Sequence, residues 1–385
     1  MSRDSRVPLI NAIEQRFESK VVTLILGDRP LFPLQIADDC VRPMYDHLLR
    51  IGQVPKLQLF LYSLGGHTEV PWKIVNMIRQ FCDTFEVIVP YKAYSAATMI
   101  CMGADRIRMT RKSELGPVDP SLMVNPTNGA PQTLVLRDLG VEDVASYVSF
   151  LRNRAGLTDQ AALSQLISVL ATTLTPPLLG RVERVYSHIR LVSRKLLDLV
   201  KPALEDRIVT SVIEALTEKT YVHNHGIGRG EAKQLGMQVE FVDEEAERDI
   251  WKLFCDYEQD LCLGETHDFE SLLPAGVDEL RLPDAAGGFV ESCALSHAFS
   301  GTLLIRRVRR VPAQPTINLN LQLQLPAGID AAQLPQAAQN AIQQLLTAGS
   351  QRIQETIIQE IARQSPVERV ESKAEGAQWK ALQLN

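Results

Sequence analysis

The sequence predicts an α/β protein built on a parallel sheet, followed by a helical segment and a C-terminal α+β domain. Three observations predict it. Short apolar runs alternate with amphipathic segments up to about residue 110, helical periodicity dominates 141–219, and strand-like alternation returns beyond about residue 265.

The first strand is the β-branched run Val21-Val22-Thr23-Leu24-Ile25-Leu26, suited to burial on both faces. Asp38 or Asp39 then caps a helix running to about Leu49, with Val41, Met44, Leu48 and Leu49 as its apolar positions. A second strand, Leu57 to Tyr62, ends at Gly65-Gly66. Pro71-Trp72 opens a helix carrying Ile74, Val75, Ile78 and Phe81, and Glu86–Val89 is a third strand. A turn over 90–94 leads to a helix starting at Ser95, and Arg106–Met109 is a fourth strand. Repeated strand–helix units imply parallel strands with right-handed crossovers.

The Asn-, Pro- and Gly-rich stretch from Met123 to Pro131 reads as a loop or flap. Helices are predicted at 141–155, 158–174, 178–200 and 203–219. Residues 229–261 give a short helix, a strand at Met237–Val242 and a further helix. A Pro- and Gly-containing joining segment is read at 273–288. Strands follow at Phe289–Ala294, Gly301–Val311 and Thr316–Leu325, the last with clean two-residue alternation. Residues 330–364 read as helical and the neighbourhood of Trp379–Leu384 as a last strand. The predicted domains are therefore 1–265 and 266–385.

Composition narrows the function. The 385 residues carry a net charge of −6, which argues against a nucleic-acid partner. Arg306, Arg307, Arg309 and Arg310 are interleaved with valine and read as a solvated strand. The six cysteines form no Cys-x-x-Cys pair, so they are expected to be reduced thiols in a cytoplasmic protein. No metal or cofactor is implied. The N-terminus lacks a signal-peptide apolar core, and no stretch has the apolar length of a membrane span.

Three local features carry chemistry. Gly65-Gly66 turns the chain sharply after a strand and brings backbone N–H groups close to whatever binds there. Ser95 stands at a strand-to-helix junction among small residues, Ala93-Tyr94-Ser95-Ala96-Ala97-Thr98. Ser113 to Pro120 forms a rigid loop after the next strand. Each also fits a plain role: Ser95 as a helix N-cap, Gly65-Gly66 as a turn, and Asp119 between prolines as a turn former.

Taken in this order, the motifs resemble the serine dehydrogenase proteinase family of the Clp-protease/crotonase-like superfamily, close to the signal peptide peptidases. The Tyr-Ser-Leu-Gly-Gly turn, the Ser-Ala-Ala-Thr helix start, Met-Gly-Ala-Asp-Arg-Ile and Ser-Glu-Leu-Gly-Pro-Val-Asp-Pro carry the resemblance. Glu231-Ala232-Lys233-Gln234-Leu235-Gly236 extends it, so that it covers roughly 20–260. Ala97 stands where the family usually has glycine. The resemblance implies a serine peptidase with Ser95 as acylating nucleophile and the N–H groups of Gly65 and Ala96 as oxyanion hole. It also implies a peptide or protein substrate and a homo-oligomer whose contacts use the helices at 141–219.

The general base is not assigned by the sequence. Val118-Asp119 occupies the loop that supplies histidine in Clp proteases, and no lysine lies between Lys112 and Lys195. Asp119 is the positional candidate, while His223 and His225 are the better chemical ones because imidazole titrates near neutrality. Lys92 is a further candidate, with the plain alternative of reaching to solvent. His-Asn-His lacks a third ligand for a metal. Two other readings follow. One is a non-catalytic assembly protein of the same fold, binding partners through 266–385. The other is a crotonase-type acyl-CoA enzyme.

Overall fold

The structure, a computed structural model, describes residues 3–28, 32–118, 121–123, 138–217, 226–264, 269–310 and 334–382. Asp119, His223, His225 and the alternating stretch Thr316–Leu325 lie outside them.

The chain opens with α1 (Arg3–Phe17), β1 (Lys20–Leu26), α2 (Val41–Ile51), β2 (Val54–Tyr62), α3 (Val70–Ile78), β3 (Cys82–Val89), β4 (Lys92–Ala93), α4 (Ala96–Met102) and β5 (Arg106–Met109). There follow β6 (Glu114–Leu115), β7 (Ser121–Met123), β8 (Asp138–Gly140), α5 (Val141–Ser149), α6 (Gln160–Thr173), α7 (Pro176–Leu197) and α8 (Asp206–Thr217). The remainder comprises β9 (Ile227–Gly228), α9 (Arg229–Gln234), β10 (Val239–Phe241), α10 (Glu244–Asp260), α11 (Phe269–Leu272), β11 (Glu279–Glu291), β12 (Ser296–Arg309), α12 (Gln336–Gln364) and β13 (Val367–Ala381).

Two compact units emerge. The first comprises Met1–Thr266, Asp284–Gly301 and Gly376–Asn385, and the second His267–Pro283 and Thr302–Glu375. In the first, the main sheet runs β10-β5-β3-β2-β1 and takes in the 284–291 part of β11, the 296–301 part of β12 and the 376–381 part of β13. The pairs β1–β2, β2–β3, β3–β5 and β5–β10 are parallel, and β11 joins β1 antiparallel with Thr23 opposite Glu291. The parallel α/β architecture expected for the N-terminal part is present.

Burial on both faces explains why these strands read as continuous apolar runs. Val22 and Leu24 face one core layer with Leu59, Leu61, Ile74 and Met99. Val21 and Ile25 face the other, with Phe60, Tyr62, Ile250 and Phe254. The buried cysteines act as small apolar fillers, and burial pushes the Cys82 thiol up to about 11.

Helix α1 is absent from the sequence expectation. Its buried positions are Arg6, Ile10, Ile13 and Glu14, so half of the buried face is charged and the apolar period is broken. Arg6 is fully buried against Glu291 at 2.7 Å, Asp260 at 2.6 Å and Asp256 at 2.9 Å. Its guanidinium also lies 4.7 Å from the ring centres of Tyr257 and Phe289.

Several boundaries differ from expectation. Met123 ends strand β7 instead of opening a loop, and the first predicted helix stops at Ser149, continuing as a π-helical turn over Phe150–Arg154. The joining segment expected at 273–288 is largely strand, because β11 begins at Glu279. Pro283 lies outside the pairing with β1, whose register ends at Gly288. Gly287 and Gly288 fit there because a Cβ would meet Leu34 or the Ile25 carbonyl at 3.1 and 2.7 Å. Among the described residues no single helix is long and apolar enough to cross a membrane, and only the bent pair Gln160–Ala171 and Pro176–Leu197 passes on length and composition together.

In the second unit three arginines of the cluster are engaged through their side chains. Arg306 pairs with Glu371, Arg309 with Asp278 at 2.8 Å, and Arg307 donates to the carbonyls of Val277, Leu273 and Pro274. The 29-residue α12 has no buried residue among those described.

Candidate active site

The site forms where β2 and β4 end. Strand β2 delivers Ser63, whose N–H donates to the Lys92 carbonyl at 3.2 Å and whose carbonyl accepts from the Tyr94 N–H at 3.0 Å. This bridge fixes the Gly65-Gly66 turn beside the Ser95 junction. On its other side the turn is fastened to Ile36: the Ile36 N–H donates to the Gly65 carbonyl and the His67 N–H to the Ile36 carbonyl. A Cβ on Gly66 would stand 2.3 Å from the Ile36 carbonyl oxygen, so no side chain fits.

Gly65 has φ +115°, and a Cβ on it would stand 2.7 Å from the Ser95 Cβ, 2.9 Å from the Tyr94 carbonyl oxygen and 3.2 Å from the Ala96 nitrogen. The two predicted elements, turn and serine, are therefore in direct apposition. Ser95 itself adopts φ +50°, ψ −114°, an unfavourable conformation for a residue with a side chain. Its carbonyl receives the Met99 N–H at 3.0 Å, yet its hydroxyl does not cap α4. The plain N-cap role therefore does not describe Ser95.

The junction is held from behind by Thr98. Its buried hydroxyl lies 2.7 Å from the carbonyl oxygens of both Ala93 and Gly116, and accepts from the Gly116 N–H at 3.2 Å. A small sheet, β4-β6-β9, closes over this region: Lys92 opposes Glu114 in parallel register, and Glu114 opposes Gly228 antiparallel. A Cβ on Gly116 would meet the Tyr94 ring at 2.5 Å, so glycine lets the ring lie flat against β6.

A cleft of about 410 Å³ opens at Ser95, lined by Leu64, Tyr91, Lys92, Tyr94, Glu114 and Pro117. The Tyr94 hydroxyl donates to Glu114 Oε2 at 2.6 Å, while burial and this carboxylate together push the phenol well above its usual range. Of the expected oxyanion-hole donors, the Ala96 N–H has no acceptor among the described residues. The Gly65 N–H instead donates to Ser63 Oγ at 3.0 Å, a partner that the sequence reading missed. No described histidine lines the cleft. His47 and His297 are elsewhere, in a buried chain running from Ser292 Oγ to His47 Nδ1 at 2.8 Å and from His47 Nε2 to His297 Nδ1 at 3.1 Å. Among the described residues no group of His, Cys, Asp and Glu is placed to hold a metal.

Residues 3–148 match the family model of ClpP-like SDH-type serine proteinases. Two uncharacterized proteins of Methanocaldococcus jannaschii are similar, at 26% identity over 43% of this chain and 65% of the relative, and at 20% over 61% and 71%. The chain thus spans about two thirds of the length of these relatives. Among solved structures, the 1510-N membrane-bound stomatin-specific protease aligns with 16% identity over 55% of this chain and 77% of that one, at a TM-score of 0.34. ClpP1 from Listeria monocytogenes aligns with 14% identity over 61% and 97%, at a TM-score of 0.32. Over residues 3–148, with Gly65, Ser95 and Ala96 inside the match, the chain is similar in sequence to the ClpP-like SDH-type serine proteinases.

Proposed function

We propose that the chain is a serine peptidase-type hydrolase that cleaves peptides through an acyl-enzyme at Ser95. The observation that carries the reading is the conformation of Ser95: positive φ, no capping bond, and a glycine packed against its Cβ beside an open cleft. A strained serine presented at a strand-to-helix turn suits a nucleophile, and the strain has no structural return in the form of a cap.

In the proposed reaction the Ser95 hydroxyl attacks a peptide carbonyl and the Ala96 N–H receives the developing oxyanion. The Gly65 N–H joins it when the Ser63 hydroxyl rotates away. The base that takes the serine proton comes from Asp119, His223, His225 or Lys92, of which Lys92 lines the described cleft. The chain works as a homo-oligomer, its contacts using the exposed Phe150, Ile167, Val169 and Leu191 of the helical segment.

The second reading, a non-catalytic assembly protein, is favoured by one observation: among the described residues the Ser95 hydroxyl has no hydrogen-bond partner to act as base. Labelling with a fluorophosphonate, located by mass spectrometry, decides between them. Modification of Ser95 that is lost in Ser95→Ala supports the hydrolase. An assembled wild-type protein that takes up no label would overturn it in favour of the scaffold.

A further inference from the structure

One carboxylate joins the residue before Ser95 to the strand that completes the small sheet. Glu114, half-buried at the start of β6, donates its N–H to the Tyr91 carbonyl at 2.6 Å. Its Oε2 accepts from the Tyr94 hydroxyl, also at 2.6 Å. That length belongs to a hydroxyl donating to an ionised carboxylate, the stronger class of hydrogen bond. On its other side the carboxylate meets the residue that leads into β9. A Cβ on Gly226 would stand 2.9 Å from the same Oε2 and 3.1 Å from Glu114 Cδ, so glycine is what lets the two segments close on each other.

Tyr94 directly precedes Ser95 and is tied along its backbone, its N–H to the Ser63 carbonyl at 3.0 Å and its carbonyl to the Ala97 N–H at 2.9 Å. Its ring lies against Gly116. Among the described residues the bond to Glu114 is the polar anchor of this side chain. Burial, and then the carboxylate, hold the phenol well above its usual range, so it remains a donor at any pH near neutrality. Ser95 sits at φ +50°, a conformation that persists only where its surroundings over-determine it. A tether on residue 94 is therefore a tether on the nucleophile.

We propose that Tyr94 and Glu114 are positioning residues for Ser95. The bond between them clamps the residue before the nucleophile, and the close seat of Gly226 keeps the Glu114 carboxylate turned towards the phenol. The proposal rests on the reading of Ser95 as nucleophile. A clamp of this kind acts on the step in which a bound reagent reacts, and much less on binding.

The test is fluorophosphonate labelling of full-length variants at graded reagent concentration, which separates the limiting rate from the apparent affinity. Tyr94→Phe and Glu114→Met are each expected to lower the limiting rate about tenfold, with the affinity changed less than about twofold. The double variant should be no slower than the slower single one, since the same bond is removed once. Glu114→Gln, whose amide oxygen still accepts from the phenol, should restore most of the rate lost in Glu114→Met. Gly226→Ala places its methyl against the Glu114 carboxylate and should slow the wild type severalfold while leaving Tyr94→Phe unchanged. Labelling of folded Tyr94→Phe at the wild-type rate overturns the clamp and leaves Ser95 as nucleophile. So does a Glu114→Gln protein as slow as Glu114→Met, or a change confined to affinity. An assembled wild type that takes up no label overturns the nucleophile, and the clamp with it.

Discussion

The Cβ of Ser95 stands 2.7 Å from the point that a Cβ on Gly65 would occupy, closer than two carbon atoms can approach without bonding. The turn and the serine therefore fix each other's position. Gly65→Ala has two defects, a left-handed φ of +115° and this collision. The expected result is a fluorophosphonate labelling rate lowered by about a hundredfold, the scale set by an ångström of misplacement. Labelling at the wild-type rate in a folded Gly65→Ala protein would separate the turn from the site.

Ser95 also stores backbone strain, on the order of 1–3 kcal/mol for a residue held in such a region. Ser95→Gly should therefore unfold at higher urea concentration than Ser95→Ala, since both lack the hydroxyl and only glycine relaxes at φ +50°. Equal midpoints would mean that the junction is unstrained.

Thr98 offers a test of the scaffold behind the serine. Thr98→Val keeps the shape but removes the hydroxyl that serves Ala93, Gly116 and the Gly116 N–H. A loss of about 1–3 kcal/mol is expected from leaving the buried Gly116 carbonyl unpaired, since the Gly116 N–H and the Ala93 carbonyl keep their mutual bond at 3.0 Å. Urea unfolding measures it, and a change within error would show that water or a backbone shift replaces the hydroxyl.

Arg6 is the anchor of α1. Arg6→Met leaves Glu291 buried without its guanidinium, and a cost of about 3–5 kcal/mol is expected. Adding Glu291→Gln should recover part of it. Denaturant midpoints of the single and double variants give the coupling.

The histidine chain predicts an acid sensitivity. Burial, and then the neighbouring His297, lower the His47 pKa to about 3, and burial also lowers that of His297. A depressed pKa in the folded state means that the neutral ring is favoured by folding. Its contribution is present above the unfolded value near 6.5 and is lost as pH falls from there towards about 3. His47→Gln should flatten the fall in urea midpoint across that window. An unchanged slope would assign the acid sensitivity to the carboxylates.

The parallel strands were legible because double-sided burial leaves an unbroken apolar run, as in Val21 to Leu26. Ser95 and Gly65 were legible through the order of their motifs, and the fold brings them into contact. Helix α1 was not, because its buried face contains Arg6 and Glu14, which read as solvent-facing until Glu291 and Lys20 are placed opposite them. The bond from the Gly65 N–H to Ser63 was hidden for another reason: it depends on one side-chain rotamer, which local sequence does not encode.

The anchoring of Ser95 has one further consequence. With the Tyr94 N–H bound to Ser63 on one side and the Ser95 carbonyl bound to the Met99 N–H on the other, the backbone around the serine is immobilised. What remains is a single rotor, the Cα–Cβ bond with its three staggered wells. Selecting one well from three forfeits only about 0.6 kcal/mol of rotational entropy, so the hydroxyl reaches an attack position with almost none of its search left to do.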